Sequence, residues 1–140
     1  MLVVGHKEIG DDKWDAFCDA TPKAWLRHTS LGRRGALALD PSNEDHSFGL
    51  VRDGTLVAVC PLVTEPLVFT GGREFAFSIN KRTTDTYSLP TPAPVALTEK
   101  DFALCMEEVD RRAQEFGIAR IRMFIDPLTS AATNNPLLAF

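Results

Sequence analysis

The stretch Ser47 to Leu62, SFGLVRDGTLVAVCPL, sets two apolar runs on either side of Asp53-Gly54 and closes on Cys60-Pro61-Leu62. A type I′ turn needs positive φ at both central residues, and Asp-Gly supplies it cheaply, so the stretch is a β-hairpin. Pro41 to His46 is a polar loop that delivers the chain into it. Downstream, Leu67 to Thr70, Gly71-Gly72 and Glu74 to Ile79 predict a second hairpin, because paired glycines also permit a tight primed turn. Four antiparallel strands in succession are therefore expected.

Upstream, Leu2 to Val4 is a short β-branched run ending at Gly5, as in a first edge strand. Asp11 and Asp12 place negative charge where a helix amino terminus favours it. Trp14, Phe17 and Cys18 then recur at helical spacing, giving a short amphipathic helix that ends by Thr21-Pro22. Residues 24–29 are expected to be briefly extended. Ser30 can then cap a second helix through Leu31, Leu37 and Leu39, with Gly32 and Gly35 each weakening it by about 1 kcal/mol.

Beyond the second hairpin, Asn80 to Pro94 turns polar and then proline-rich. Pro90, Pro92 and Pro94 forbid a helix and favour extended backbone, so this reads as a long surface-lying connection. The strongest helix signal begins at Thr98, a capping hydroxyl with Asp101 three residues on. Phe102, Cys105, Met106, Val109, Ala113 and Phe116 trace its apolar face, Glu107, Glu108, Asp110, Arg111 and Arg112 its solvent face, and Gly117 its end. Ile118 to Ile125 alternates as a strand, with Ile121, Met123 and Ile125 on one side, until Pro127. Helices interleaved with hairpins make an α/β chain of the α+β kind.

The 140 residues suit one domain, with 44% hydrophobic and 24% charged residues excluding disordered and fibrous classes. A net charge of −4 argues against broad attraction to nucleic acid, so DNA is not an expected partner. Cys18, Cys60 and Cys105 sit apart in apolar patterns, as buried reduced thiols do. The first residues lack a basic leader and an apolar core, and no run is long enough to span a bilayer. A cytoplasmic protein without stable membrane insertion is expected.

Several residue sets carry candidate chemistry. His28, beside Thr29 and Ser30, has the proton affinity of a general base, but the same trio suits a hydrogen-bonded helix start. His6 and His46 have no Cys, Asp or Glu partner at metal-ligand spacing, so no metal site is expected. Arg33-Arg34 and Lys81-Arg82 are local cationic clusters fit for an anionic substrate, or for ordinary solvation. Tyr87, with Thr83, Thr84, Asp85 and Thr86, forms a hydroxyl-rich set in a long loop, where ligand contacts concentrate. The candidate substrate-binding residues are thus Tyr87, Thr84, Asp85, Arg33, Arg34 and His28. No catalytic residue can be assigned, since no Ser-His-Asp or Cys-His signature follows from sequence order.

Trp14-Asp15-Ala16-Phe17, Leu26 to Ser30, and Asp53 to Leu62 resemble, in order and spacing, the amino-terminal part of the FemAB-like branch of the GNAT acyltransferases. Ser88-Leu89-Pro90 to Pro94-Val95 is similar to that family's Leu-Pro segment leading into its last helix. The resemblance implies a GNAT-like lobe over residues 1–126, a central, mostly antiparallel sheet flanked by helices, with 127–140 a linker or the start of a second unit. It further implies an N-acyltransferase or aminoacyltransferase system modifying a cell-envelope or polysaccharide precursor. Such proteins usually pair two lobes, so a second GNAT-like lobe or a homo-oligomer is the implied partner, and a small amine the implied acceptor. GNAT enzymes that use acetyl-CoA hold its pyrophosphate on a glycine-rich loop at a helix amino terminus. The equivalent junction here, Thr91 to Lys100 (TPAPVALTEK), has no glycine, and its prolines, Pro92 and Pro94, lack N–H donors. No cofactor is therefore expected on this chain; acyl-CoA or aminoacyl-tRNA would serve the complete system elsewhere, leaving this lobe to substrate binding or scaffolding. An interaction module that kept the fold without the chemistry is the alternative.

Overall fold

The computed structural model describes residues 1–66, 73–78, 88–121 and 123–124. In chain order the elements are β1 (Leu2–Gly5), α1 (His6–Ile9), α2 (Asp11–Asp19), a single 3-10 turn (Leu26–His28), α3 (Ser30–Ala38), β2 (Glu44–Asp45), β3 (Phe48–Arg52), β4 (Thr55–Cys60), β5 (Val63–Pro66), β6 (Arg73–Ser78), β7 (Ser88–Pro92), β8 (Val95–Ala96), α4 (Glu99–Glu115), β9 (Ile118–Ile121) and β10 (Met123–Phe124). The architecture is α+β. Among the described residues every strand pairing is antiparallel except β6 with β9 and β7 with β10.

The Asp53-Gly54 hairpin forms as its sequence dictates, with φ of 51° at Asp53 and 78° at Gly54, and Arg52 opposite Thr55. The register slips so that Leu50 faces Ala58 while Val51 faces Leu56, leaving Val57 as a bulge. Its carbonyl, out of the β3 ladder, accepts from Leu97 N at 3.0 Å. A bulge also turns two consecutive side chains to one face, and Val57 and Ala58 both join the core beneath α4. Val59 points the other way, onto Trp14 and Cys18 of α2. The four-stranded sheet, ordered β1-β3-β4-β8, is thus covered on both faces, which explains why β4 reads as an unbroken apolar run.

Of the second hairpin, Leu67 to Thr70 and the Gly-Gly turn lie outside the described residues; its later strand forms as β6 and pairs with β5, a strand the sequence reading did not place at residues 63–66, with Thr64 opposite Phe75. The expected four-strand meander is corrected, however. β4 bonds to β3 and β8, whereas β5 bonds to β2 and β6 in a second sheet ordered β10-β7-β6-β5-β2. Pro61 and Leu62 separate the two, where a missing proline N–H cannot continue a ladder.

The proline-rich segment is also corrected. Residues 88–92 form strand β7, and Thr91 to Val95 are buried as the chain passes from the second sheet into β8 of the first. Alternate N–H groups point to the same strand edge, so prolines at 90, 92 and 94 strip donors from one edge and leave the other intact. Alternation that looked like a surface linker is compatible with a strand.

Around α3 the structure departs from expectation by one residue and one face. Residues 26–28 make a 3-10 turn instead of an extended segment. Thr29, not Ser30, is the cap: its hydroxyl donates to Leu26 O at 2.6 Å and accepts from Gly32 N at 3.3 Å. Leu31 and Leu39 are exposed, and the inward positions are Ser30 and Ala36. Small residues face inward because the helix approaches the 3-10 turn at backbone distance, where a Cβ on Gly32 would lie 2.5 Å from Leu26 O.

Helix α4 begins and ends as its sequence demands, capped by Thr98 with Gly117 at φ 65°. Phe102, Cys105 and Val109 are buried, but Phe116 is exposed at 40% and stacks on His46 instead. The short α1 between β1 and α2 has no counterpart in the sequence reading; Gly10, at φ 84°, breaks it from α2. The Ile118 strand divides into β9 beside β6 and β10 beside β7, with Ile121 and Met123 on the core side as their alternation requires. No helix among the described residues is long and apolar enough to cross a membrane.

Candidate functional site

The segments around Trp14 and His28, distant in sequence, lock together. Trp14 Nε1 donates to His28 O at 2.6 Å, and the Cys18 thiol reaches the same carbonyl at 3.6 Å. The His28 ring accepts from Trp25 N on Nδ1 at 3.1 Å and donates from Nε2 to Ala93 O at 2.8 Å. These two bonds require the neutral Nε2–H tautomer and occupy both nitrogens, so the buried ring holds the 3-10 turn to the β7–β8 crossing. As a base it has no lone pair to offer; its role is positioning.

A second polar cluster sits where α1, α2 and α3 converge. Asp15 Oδ1 accepts from Ser30 N at 2.7 Å, so a carboxylate of α2 caps the amino terminus of α3. Ser30, fully buried, places its hydroxyl 3.0 Å from His6 Nε2. His6 lies against Trp14 with ring centroids 4.5 Å apart, and Asp11 Oδ1 is 3.4 Å from its Nε2. Burial, then Arg33, lowers the His6 pKa below its ordinary value despite Asp45, Asp11 and Asp15. His6 is buried, and its neighbour Ser30 is drawn in from 24 residues away, a pairing that metal-ligand spacing could not announce.

Arg33 and Arg34, the candidate anion binders, are turned to internal partners. Arg33 Nη1 donates to Asp45 Oδ2 at 2.8 Å, and Arg34 Nη1 to Asp11 Oδ2 at 2.6 Å. Arg33 also borders a slot with Arg27, Ala36, Pro61, Val63 and Thr91, but its volume is only about 10 Å³, room for roughly one water. Burial pulls the Arg27 guanidinium down to about 10, which leaves it charged at neutral pH. His28 is about 3% exposed and does not share a surface with these arginines for ligand contact. Tyr87, Thr84 and Asp85, with Thr83, Thr86, Lys81 and Arg82, lie outside the described residues.

An open cleft of about 390 Å³ lies at the carboxyl end of α2, walled by Asp19, Thr21, Ala24, Trp25, Leu26 and Thr29. A hollow of about 190 Å³ lined by Lys23, Ala96 and Leu97 adjoins it across Thr21 and Pro22. No motif announced this cleft. The only trace in the sequence is an acidic residue in the last turn of a helix that has no basic residue there.

At the start of α4, Asp101 is fully buried and Thr98 Oγ1 accepts from its N–H at 3.1 Å. The Asp101 carboxylate takes Arg52 Nη2 at 2.5 Å and the Thr98 hydroxyl at 2.9 Å. Burial alone would raise its pKa, but these bonds hold it below the usual carboxylate range. Further along, Glu108 was expected to face solvent and is instead buried. It accepts from Arg111 Nε at 2.8 Å and Arg112 Nε at 2.7 Å, while Arg112 reaches His46 O at 2.9 Å and lies 4.8 Å over the Phe48 ring. Arg112 thereby carries the outer face of α4 down onto the hairpin.

All three cysteines are buried thiols without disulfides, and burial pushes Cys18 and Cys105 up to about 12. They are inert core groups at neutral pH. Among the described residues no cluster of His, Cys, Asp and Glu is fit to hold a metal. No protein family, no curated protein and no solved structure matches this chain.

Proposed function

We propose that this chain is a GNAT-like lobe of the FemAB-like kind, serving substrate binding and scaffolding in an N-acyltransferase or aminoacyltransferase system that acts on cell-envelope or polysaccharide precursors in the cytoplasm. The observation that carries the proposal is the closed amino terminus of α4. In an acetyl-CoA-dependent GNAT enzyme this is where backbone amides grip pyrophosphate. Here the first turn is acidic, with Glu99 and Asp101, and the cap is already satisfied by Thr98. With Thr98 Oγ1 already accepting from Asp101 N and no glycine to open the turn, no cradle is free for a diphosphate, so the donor, whether acyl-CoA or aminoacyl-tRNA, belongs to a second lobe.

Two further features support the lobe assignment. The residues that carry the resemblance, Trp14-Asp15 and His28 to Ser30, bond to one another across the fold. The two sheets also part at Pro61-Leu62, and the strand after α4 runs parallel to β6 and β7. What such a lobe supplies to amide formation is placement of an amine against an activated carbonyl, which by itself accounts for much of the acceleration.

Calorimetric titration with acetyl-CoA tests the proposal: no heat of binding is expected, and micromolar affinity would refute the assignment of the donor site elsewhere. The sequence encoded beside this chain is expected to specify a second GNAT-like lobe. One observation favours the rival interaction module: β1 is the edge of its sheet, with Leu2 and Val3 exposed at 65% and 45%, a ready template for strand addition.

A further inference from the structure

The slot where α3 and the 3-10 turn meet the step between the two sheets carries charge of one sign. Arg27 and Arg33 border it, no carboxylate does among the described residues, and Ala36, Pro61, Val63 and Pro92 supply apolar walls. Arg33 divides its nitrogens. Nη1 donates to Asp45 Oδ2 at 2.8 Å and Nη2 lies 3.9 Å from Asp11 Oδ1, whereas Nε is buried without a hydrogen-bond acceptor among the described residues. Native structures nearly always supply an acceptor to a buried donor, above all to a charged one.

Size and rigidity narrow what that acceptor can be. The slot's volume of about 10 Å³ admits one particle near the size of a water molecule and excludes sulfate, phosphate or a carboxylate. Its walls are pinned, since Thr91 Oγ1 donates to Pro61 O at 3.0 Å and the His28 ring holds Ala93 O at 2.8 Å. A water needs two to four polar partners, acceptors for its own protons among them, and most of this lining is apolar. A halide needs only N–H donors and positive charge. Burial pulls the Arg27 guanidinium down to about 10, a loss of hydration that a neighbouring anion offsets.

We infer that this slot binds a single monatomic anion, chloride in ordinary salt, which accepts from Arg33 Nε beside the positive charge of Arg27. Asp45 and Asp11 meet Arg33 through its Nη atoms and do not line the slot, so they leave the Nε side to the anion. The site is independent of the transferase reading above.

Crystals of the intact chain grown in sodium bromide and measured at the bromine absorption edge are expected to show an anomalous peak beside Arg33 Nε. In solution, chlorine NMR lines should broaden saturably on adding the protein and sharpen as bromide competes, while sulfate at matched ionic strength leaves them broad. Arg33→Lys keeps a cation for Asp45 but removes the Nε donor, and should weaken chloride about tenfold or more. Ala36→Val fills the slot and leaves both arginines in place, with the same loss expected at unchanged circular dichroism. Should either variant fail to fold, the bromide measurement on the parent decides. A peak without anomalous signal, displacement by sulfate as readily as by bromide, or undiminished broadening by folded Arg33→Lys would each overturn the inference. So would a bromide peak unaccompanied by broadening in solution, which is binding at crystal concentration only.

Discussion

Gly32 and Gly35, three residues apart on α3, should respond to alanine in opposite directions. Both would gain roughly 0.5–1 kcal/mol from the lower backbone entropy of alanine in a helix. A Cβ at Gly35 meets nothing within 4 Å, so that gain is realised. At Gly32 the added carbon would lie 2.5 Å from Leu26 O, 2.8 Å from Arg27 Cα and 3.0 Å from Arg27 C. All three are backbone atoms of a turn that cannot retreat. Trp14 Nε1 holds His28 O at 2.6 Å, the His28 ring holds Ala93 O at 2.8 Å, and Thr29 holds Leu26 O at 2.6 Å. Overpacking of this kind costs about 1–3 kcal/mol, and rigid backbone contacts belong at the upper end. Gly32→Ala should therefore be net destabilising by about 1–2 kcal/mol, and the two variants should differ by about 2–3 kcal/mol. Urea unfolding with unchanged m-values measures the difference directly, as would melting temperatures separated by about 6–12 °C. Equal stabilisation by both substitutions would refute the tight helix-to-turn contact.

The remaining predictions concern the histidines and two carboxylates of α4. His28→Phe removes the partners of Trp25 N and Ala93 O and should cost about 2–6 kcal/mol, at about 1–3 kcal/mol for each stranded group. A loss below about 0.5 kcal/mol in denaturant unfolding would show that the ring is no bolt. His6 and His46 both titrate below their ordinary 6.5, chiefly through burial. The unfolded chain therefore binds protons first: stability is complete above pH 6.5 and falls as pH drops through 6.5 towards the folded-state values. Urea midpoints between about pH 7.5 and 5.5 should decline, and His6→Gln should flatten part of the slope; a flat parent profile would contradict the burial argument. At lower pH a separate loss is expected below the unfolded carboxylate range, as Asp101 and Glu108, both held low in the fold, take up protons.

Two of the short motifs that carry the resemblance to a transferase lobe have a physical task in common. Trp14, Asp15 and His28 to Ser30 are the clasp between α2 and α3. Their spacing in sequence signalled helix starts and turns; that the indole and a carboxylate would bond to backbone atoms 14 and 15 residues away was not written in it. The candidate anion site suffered from the same blindness. Arg33 and Arg34 carry no mark of their partners, since Asp45 and Asp11 lie 12 and 23 residues off in opposite directions along the chain.

The sequence alone determined what neighbouring residues decide among themselves. The Asp53-Gly54 turn, the Thr98 cap, the Gly117 stop, the apolar stripe of α4 and the alternation into Met123 all depend on φ/ψ preferences or on contacts within a turn or two. Tertiary structure decided which surfaces those elements spend on one another. It buried Glu108 under Arg111 and Arg112, made a strand of the prolines, turned Leu31 and Leu39 outward, and set the end of α2 against the 3-10 turn to form an open cleft. Each of these outcomes balances desolvation against partners that only the assembled fold brings within bonding distance, as in the His28–Ala93 bond across 65 residues and the Arg112–His46 bond across 66.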